Sequence, residues 1–296
     1  MSTNAARSEQ QSQDDVLAGL RDAPKRLPCR LLYDTRGAEL FEQITSVEDY
    51  YLTRAELALL EAKLPAIAAL VGPHARVIEP GSGAGRKTRM LLAALDRPAV
   101  YVPIDVAEEQ LEDTATTLRV AFPGLDVLPV LGDYTQPLAI PATQHAGKTV
   151  VFFPGSTIGN FEPDEARKFL GKLAHLAGPD ALLVLGADAN DNHEELLRAY
   201  DDSEGVTAAF NLNVLSHVNA THDATFSLDG FAHRAVWNAA RSRIEMHLVS
   251  LRDQVVVVGA EPVAFGAGEP IITEHCYKHS PGMLERLLVV GGWRVV

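Results

Sequence analysis

Three glycines alternate at positions 81, 83 and 85, directly after the apolar run Val77-Ile78-Glu79-Pro80 and directly before Arg86-Lys87-Thr88. No other stretch restricts the fold of this chain so tightly. A strand that ends in alternating glycines and passes into a helix has to turn sharply, and a Cβ there would forbid the dihedrals or hold a ligand away. The segment reads as a nucleotide-cofactor loop, with an ordinary glycine turn between strand and helix as the plain alternative. Two phosphate-binding designs fit poorly. Gly81 followed by Lys87-Thr88 approaches the G-x-x-x-x-G-K-[ST] pattern, but Arg86 stands where that pattern has its second glycine. Arg86 also occupies the position of the third glycine of a dinucleotide fold.

Glu79 narrows the ligand further. A carboxylate immediately before the first glycine repels a pyrophosphate and attracts a cofactor with a cationic amino-acid end, a description that S-adenosylmethionine meets.

The rest of the composition bounds the setting. With 296 residues, 47% of them hydrophobic, the chain can bury one large core or two modest ones. No apolar run reaches the roughly 18 residues of a membrane span, and the polar, Gln/Ser-rich start lacks an apolar signal core, so a cytoplasmic location away from membranes is expected. Cys29 and Cys276 are too few for a disulfide framework or a multi-cysteine metal site; reduced, packed thiols and no metal are expected. A formal net charge of −13 without Lys/Arg clusters argues against nucleic acid and for a small-molecule substrate.

From about residue 55 to 189, strand and helix signals alternate as in an α/β sheet. Strands are expected at Arg76 to Pro80, Ala99 to Asp105, Asp126 to Asp133, Thr149 to Pro154 and Ala181 to Asp188, nearly all as continuous apolar runs. Helices are expected at Lys87 to Leu95, Glu108 to Ala121 and Pro163 to Ala177. Open parallel sheets bind ligands beyond the carboxyl ends of their strands, where Glu79, Asp105, Asp133, Gly155 and Asp188 all fall. Asp105 follows Gly85 by 20 residues, a separation that suits a carboxylate accepting both ribose hydroxyls; a helix cap is the alternative. Asp133 can accept from an adenine amino group while Tyr134 packs nearby, or can simply hold a turn.

Beyond Asp188 the alternation stops. Asn190 to about His279 reads as an insertion with helices at Glu194 to Tyr200 and Val206 to Val218 and strands near Ala232 to Ala239, Ile244 to Leu251 and Val255 to Gly259. In the second strand Ile244, Met246 and Leu248 face one way, Glu245 and His247 the other. Ninety residues far exceed a loop, so a substrate-binding cap is expected.

Several separate segments then carry a resemblance. They are Leu32-Tyr33-Asp34-Thr35-Arg36-Gly37-Ala38-Glu39-Leu40-Phe41, Glu48-Asp49-Tyr50-Tyr51-Leu52-Thr53-Arg54, the glycine loop with Arg86-Lys87-Thr88, Gly155-Ser156-Thr157-Ile158-Gly159-Asn160, Ala199-Tyr200-Asp201-Asp202, and Gly268 to Lys278. Over nearly its whole length the chain resembles the histidine Nα-methyltransferases of ergothioneine biosynthesis, which depend on S-adenosylmethionine. The resemblance implies a Rossmann-like class I methyltransferase sheet (residues 55–189 and 280–296) and a second, α+β substrate-binding domain built from residues 1–54 and 190–279. It implies a monomer that methylates the α-amino nitrogen of L-histidine, three times, to give hercynine. Carried over by position, Asn160 and Tyr200 hold the substrate carboxylate and amino group, Tyr50 lines the imidazole, Glu274 grips it, and Met246 and Cys276 complete the lining. Tyr33, Gly81, Lys87, Asp105, Asp133 and Tyr134 surround the cofactor, with Gly155 at the reacting centre and Phe41 as a wall.

In this resemblance Cys276 replaces a serine that bonds the second imidazole nitrogen, which leaves room for a modified histidine or another amino acid as substrate. A final sheet strand is expected to begin at Gly292-Trp293-Arg294-Val295-Val296 and to be cut short. Deprotonation of the amine is left open between Tyr50 and a water relay. A non-catalytic S-adenosylmethionine-binding protein and a nucleotide-dependent oxidoreductase are the readings from other classes; intact Asn160, Tyr200 and Glu274 oppose the first, Glu79 and Arg86 the second.

Overall fold

A computed structural model describes residues 14–136, 138–143 and 147–296. The chain divides into two compact units, one formed by Tyr51–Ala189 and Lys278–Val296, the other by Met1–Tyr50 and Asn190–Tyr277.

The first unit is an α/β sheet. Its strands are β1 (Arg76–Pro80), β2 (Val100–Asp105), β3 (Asp126–Val127), β4 (Val130–Leu131), β5 (Thr149–Phe153) and β6 (Leu182–Leu185). They run in the order β3-β2-β1-β5-β6, with β4 also beside β2, and every pairing is parallel. Helices cover both faces, which is why the strands are apolar without alternation. Val77, Tyr101, Val150 and Phe152 pack with Leu60, Leu64, Leu91 and Leu118 from three helices. On the opposite side Val151 and Phe153 meet Phe169, Leu170 and Leu173 of the Pro163–Ala177 helix, with Leu287 and Trp293 against them. That helix starts with a reciprocal capping box between Glu162 and Glu165 and a proline in its first turn.

Two expectations change. The run from Asp126 to Asp133 is not one strand but two short ones, interrupted at Leu128-Pro129, because a proline has no N–H to give a ladder. Residues 293–296 form no strand; Trp293 instead donates its backbone N–H to Leu288 and its indole N–H to Leu170, 2.9 and 3.0 Å. Among the described residues no helix is long and apolar enough to cross a membrane.

The second unit is α+β. The strand Lys25–Arg26 pairs parallel with β11 (Pro270–Tyr277), which lies antiparallel to β8 (Arg243–Ser250), itself antiparallel to β7 (Phe231–Asn238). The strands β9 (Gln254–Val258) and β10 (Glu261–Phe265) form a separate antiparallel hairpin. The Val206–Thr221 helix buries Phe210, Val214, Leu215 and Val218. Asp202 caps it, accepting the N–H groups of Val206 and Thr207 at 3.0 and 2.7 Å.

One face of β8 buries Ile244, Met246 and Leu248, as its alternation predicts. On the other face Arg243 and Glu245 are buried as well, and His247 and Val249 partly so. Glu245 there accepts from Asn238, Arg243 and His247 at 2.9, 2.7 and 2.8 Å, while Arg243 donates to the Tyr277 hydroxyl at 3.1 Å. These three donors hold the Glu245 carboxyl below its usual range although burial pushes the other way.

The Arg243 and Glu245 side chains are only 7% and 5% exposed. Deleting one partner leaves the other as an uncompensated buried charge. Glu245→Ala should therefore lose about 3–5 kcal/mol in urea unfolding, whereas the double substitution Arg243→Met with Glu245→Leu should lose less. A double variant weaker than Glu245→Ala would contradict this account.

Candidate active site

In the first unit the glycine loop has the left-handed backbone its sequence calls for. Gly81, Gly83 and Gly85 have φ of 69°, 50° and 70°. A Cβ on Gly81 would lie 3.3 Å from the Tyr134 ring and one on Gly85 only 2.8 Å from Thr114, while Gly83 faces open space. Gly81 and Gly85 therefore allow the close approach of Tyr134 and Thr114, and Gly83 alone borders open space. The Gly81 N–H donates to Ile104 at 2.7 Å, and Gly83 is held from both sides, its N–H by Asp105 and its carbonyl by Thr114, each at 3.1 Å. Asp105 also accepts the Ala107 N–H at 3.1 Å. Asp133 accepts the N–H and hydroxyl of Thr135 at 2.8 and 2.6 Å, so the turn-holding role is realised. Tyr134 stands edge-on to Phe153, with ring centres 6.0 Å apart, and beside Phe169 at 5.7 Å.

Glu79 is turned into the interior beside the loop. It is 2% exposed, and its carboxylate accepts from the hydroxyls of Thr88 and Tyr101, both at 2.6 Å. Both hydroxyls reach the same carboxylate oxygen, so Glu79 ties the strand before the loop to the helix after it and to the neighbouring strand. Burial raises its pKa to about 7 against the pull of those two donors, and burial with the Glu79 charge drives the Tyr101 phenol well above 10.

The loop after β5 turns at Gly155 and Ser156, with φ of 87° and 59°. Asn160 ends the short 3₁₀ turn that follows; it does not cap the next helix, since Glu162 does. Two carboxylates organise this edge. Asp188 accepts from the Tyr51 hydroxyl at 2.6 Å and from Lys278 at 2.9 Å, and its backbone N–H donates to the Ser156 hydroxyl at 2.9 Å. Glu56 accepts the Gly155 N–H at 2.6 Å through Oε1 and pairs with Lys87 through Oε2. Sequence reasoning passed over Glu56, one of two carboxylates in the Tyr51–Val71 helix, whose only signal is its place just after the Glu48 to Arg54 motif.

In the second unit Tyr50, Tyr200, Met246, Glu274 and Cys276 are all buried, between 2% and 8% exposed. The rings of Tyr33, Phe41, Tyr50 and Tyr200 form a chain of edge contacts, with centres 5.6, 6.5 and 6.2 Å apart. Tyr33, expected beside the cofactor, belongs to this unit, and its hydroxyl and the Cys29 thiol both lie 3.4 Å from Glu274 Oε2.

A bulge in β11 decides which side chains join them. Ile271 and Ile272 pair with Leu248 and His247, but the next residue in register is Glu274, opposite Met246, so Thr273 is the extra residue. The inserted residue reverses the alternation and puts Glu274 and Cys276 on the Met246 face; without it Thr273 and His275 would stand there.

Behind this group runs a buried hydrogen-bond relay that sequence reasoning missed. Thr273 meets Asn211 at 2.6 Å, the Asn211 amide meets His233 Nδ1 at 2.8 Å, and His233 Nε2 meets the Tyr200 carbonyl at 2.8 Å. A carbonyl only accepts, so Nε2 carries the proton and Nδ1 takes the amide hydrogen, which makes the ring neutral. Burial pushes the His233 pKa down in agreement. The Tyr200 phenol is raised well above 10 by burial, then by neighbouring Cys276, Tyr50 and Glu274, and so keeps its proton. Among the described residues no group of three or more His, Cys, Asp or Glu is arranged to hold a metal ion.

The sequence matches, over residues 12–296, the family described as histidine-specific, SAM-dependent methyltransferases. It is 41% identical over 286 residues to histidine N-alpha-methyltransferase of Mycolicibacterium smegmatis, covering 95% of this chain and 88% of that one. The protein of the same name from Mycobacterium tuberculosis is 42% identical over 284 residues, with coverage of 94% and 87%. Ergothioneine biosynthesis protein 1 of Neurospora crassa is 34% identical over 216 residues, which span 71% of this chain and 24% of that longer protein.

The Glu79 network sets a pH dependence. A carboxyl raised from 4.5 to about 7 on folding favours the folded state when protonated, so its contribution is complete below the unfolded value and fades as pH rises through about 7. The stability difference between wild type and Glu79→Gln should shift against wild type by about 3 kcal/mol between about pH 4 and about pH 8. A pH-independent difference in urea midpoints would refute it.

Proposed function

This chain belongs to the S-adenosylmethionine-dependent, histidine-specific methyltransferase family, and from that premise we propose that it methylates the α-amino nitrogen of L-histidine, three times in succession, to give hercynine for ergothioneine biosynthesis. The observation that carries the substrate assignment is the gathering of Tyr50, Tyr200, Met246, Glu274 and Cys276 into one buried group by the β11 bulge.

The cofactor fits the first unit, because the glycine loop follows a parallel strand, its Gly83 borders open space, and Asp105 stands at the next strand end bonded to Gly83. Gly81, Lys87, Asp105, Asp133 and Tyr134 are the residues of this unit assigned to hold it. When bound, it supplies a methyl group activated by a sulfonium. The protein's own work is orientation, which recovers roughly 7–11 kcal/mol of barrier in well-aligned reactants.

Each substrate residue has a chemical reason for its role. Glu274 accepts an imidazole N–H, and the donors Tyr33 and Cys29 fix the direction in which its carboxylate faces. Tyr50 packs flat or edgewise against an aromatic ring as readily as it packs against Tyr200 and Phe41. Tyr200 keeps its proton, so its oxygen receives an amine N–H as a hydrogen-bond acceptor and does not serve as a phenolate base. Asn160 offers a neutral amide to the substrate carboxylate, and Gly155, with φ of 87°, supplies backbone that can approach the reacting nitrogen closely.

Purified protein incubated with S-adenosylmethionine and a mixture of amino acids, read by mass spectrometry, should add one, two and then three methyl groups to histidine. Gains on a different amino acid would overturn the substrate assignment. Glu274→Ala should lower kcat/KM for histidine about 10- to 100-fold, the worth of a hydrogen bond to a charged group, with S-adenosylhomocysteine affinity kept within about twofold.

Cys276→Ser provides a separate check. A hydroxyl bonds an imidazole nitrogen better than a thiol does, so histidine affinity should rise by about 0.5–1.5 kcal/mol. Weaker histidine binding in Cys276→Ser would show that the thiol does not face an imidazole nitrogen.

A further inference from the structure

The methionyl end of S-adenosylmethionine carries an ammonium and a carboxylate on one carbon, and the residue first expected to meet the ammonium, Glu79, is committed beneath the loop to Thr88 and Tyr101. A different carboxylate stands at the carboxyl edge of the sheet. Glu56 reaches in from the Tyr51–Val71 helix; Oε1 accepts the Gly155 N–H at 2.6 Å, and Oε2 pairs with Lys87, the second residue of the helix that follows the glycine loop. A third loop makes room for it, since a Cβ on Gly186 would lie 2.2 Å from Glu56 Oε1. The helix after the β1 glycine loop and the loops that follow β5 and β6 thus converge on one carboxylate.

The pair is held but not sealed. Glu56 and Lys87 side chains are 16% and 24% exposed, so one anion and one cation are presented side by side to whatever enters. An isolated lysine after a glycine loop suits a phosphate. With Glu56 beside it the site is neutral overall and matches a zwitterion, while a polyphosphate meets repulsion.

We infer that Glu56 is a cofactor-binding residue that accepts the α-ammonium of the methionyl end while Lys87 donates to its carboxylate. This rests on the cofactor assignment above and not on the identity of the methyl acceptor. Glu56 also positions the Gly155 backbone, which couples the methionyl end to the loop at the reacting centre.

Calorimetric titration of the full chain tests it with S-adenosylhomocysteine and with its analogue lacking the α-amino group. Wild type should bind the parent compound about 10-fold more tightly than the deaminated one. Glu56→Gln, which keeps the shape and an oxygen for Gly155, should bind the parent about 10-fold more weakly and the deaminated analogue unchanged within about twofold. Equal losses for both ligands would reduce Glu56 to a structural role and overturn the inference. Equal affinity of wild type for the two ligands would overturn it without any variant, so a poorly folding Glu56→Gln leaves the test intact. Absence of S-adenosylhomocysteine binding to wild type would instead remove the cofactor assignment on which it rests.

Discussion

The hydrogen bond between Glu79 and Thr88 closes the glycine loop, and the first unit's chemistry depends on that closure. The two residues flank the segment from Pro80 to Lys87, and Tyr101 from β2 grips the same carboxylate oxygen. Strand, loop, helix and neighbouring strand are thereby tied at a single buried point. An ionised carboxylate there would be costly without donors, and the two hydroxyls only partly offset its burial, leaving a group poised near neutrality. A loop whose three glycines hold positive φ would otherwise have many conformations to choose from. The buried tie supplies what the glycines lack, a fixed shape.

Much of the fold was legible because parallel strands covered on both faces leave a simple mark, a short apolar run followed by a polar residue or glycine. That mark located β1, β2, β5 and β6 to within a few residues and placed Asp105, Gly155 and Asp188 at one edge. It failed at Asp126 to Asp133, where Pro129 cannot donate and the run divides. The direction of Glu79 was not legible. Its position before the glycines told of a carboxylate near the loop, but whether it faces the ligand or the interior depends on Thr88 and Tyr101, which only the packed sheet brings to it.

The second unit was harder to read for a related reason. Alternation in β8 correctly set Met246 on the buried face, yet it could not show that Arg243 and Glu245 on the other face are buried as well. In β11 strict alternation would have grouped Glu274 and Cys276 with Ile272, and the bulge at Thr273 changes the partners. The relay from Thr273 through Asn211 and His233 to the Tyr200 carbonyl joins residues far apart in sequence. None of them carries a local signature. The same threonine that breaks the register thus also begins the relay whose last member, His233, bonds the Tyr200 carbonyl.

On the proposed reaction, these constraints bear on why three methyl groups can follow one another. Each transfer removes an N–H that hydrogen-bond acceptors such as the Tyr200 oxygen can hold, and the last leaves a quaternary ammonium with none. Hydrogen bonding alone would therefore release the nitrogen progressively. Aromatic faces behave in the opposite sense, because a fixed positive charge is attracted to a ring whether or not it carries protons, with a strength of about 0.5–2 kcal/mol. Of the ring chain from Tyr33 through Phe41 and Tyr50 to Tyr200, Tyr200 is the member assigned to the amine, and its ring can offer such a face beside its hydroxyl. Glu274 acts on the imidazole, whose N–H is untouched by the reaction, so the one strong charged contact assigned to the substrate does not change as the amine does. Recognition is thus anchored at the end of histidine that stays constant, and the end that is modified meets groups that tolerate the modification.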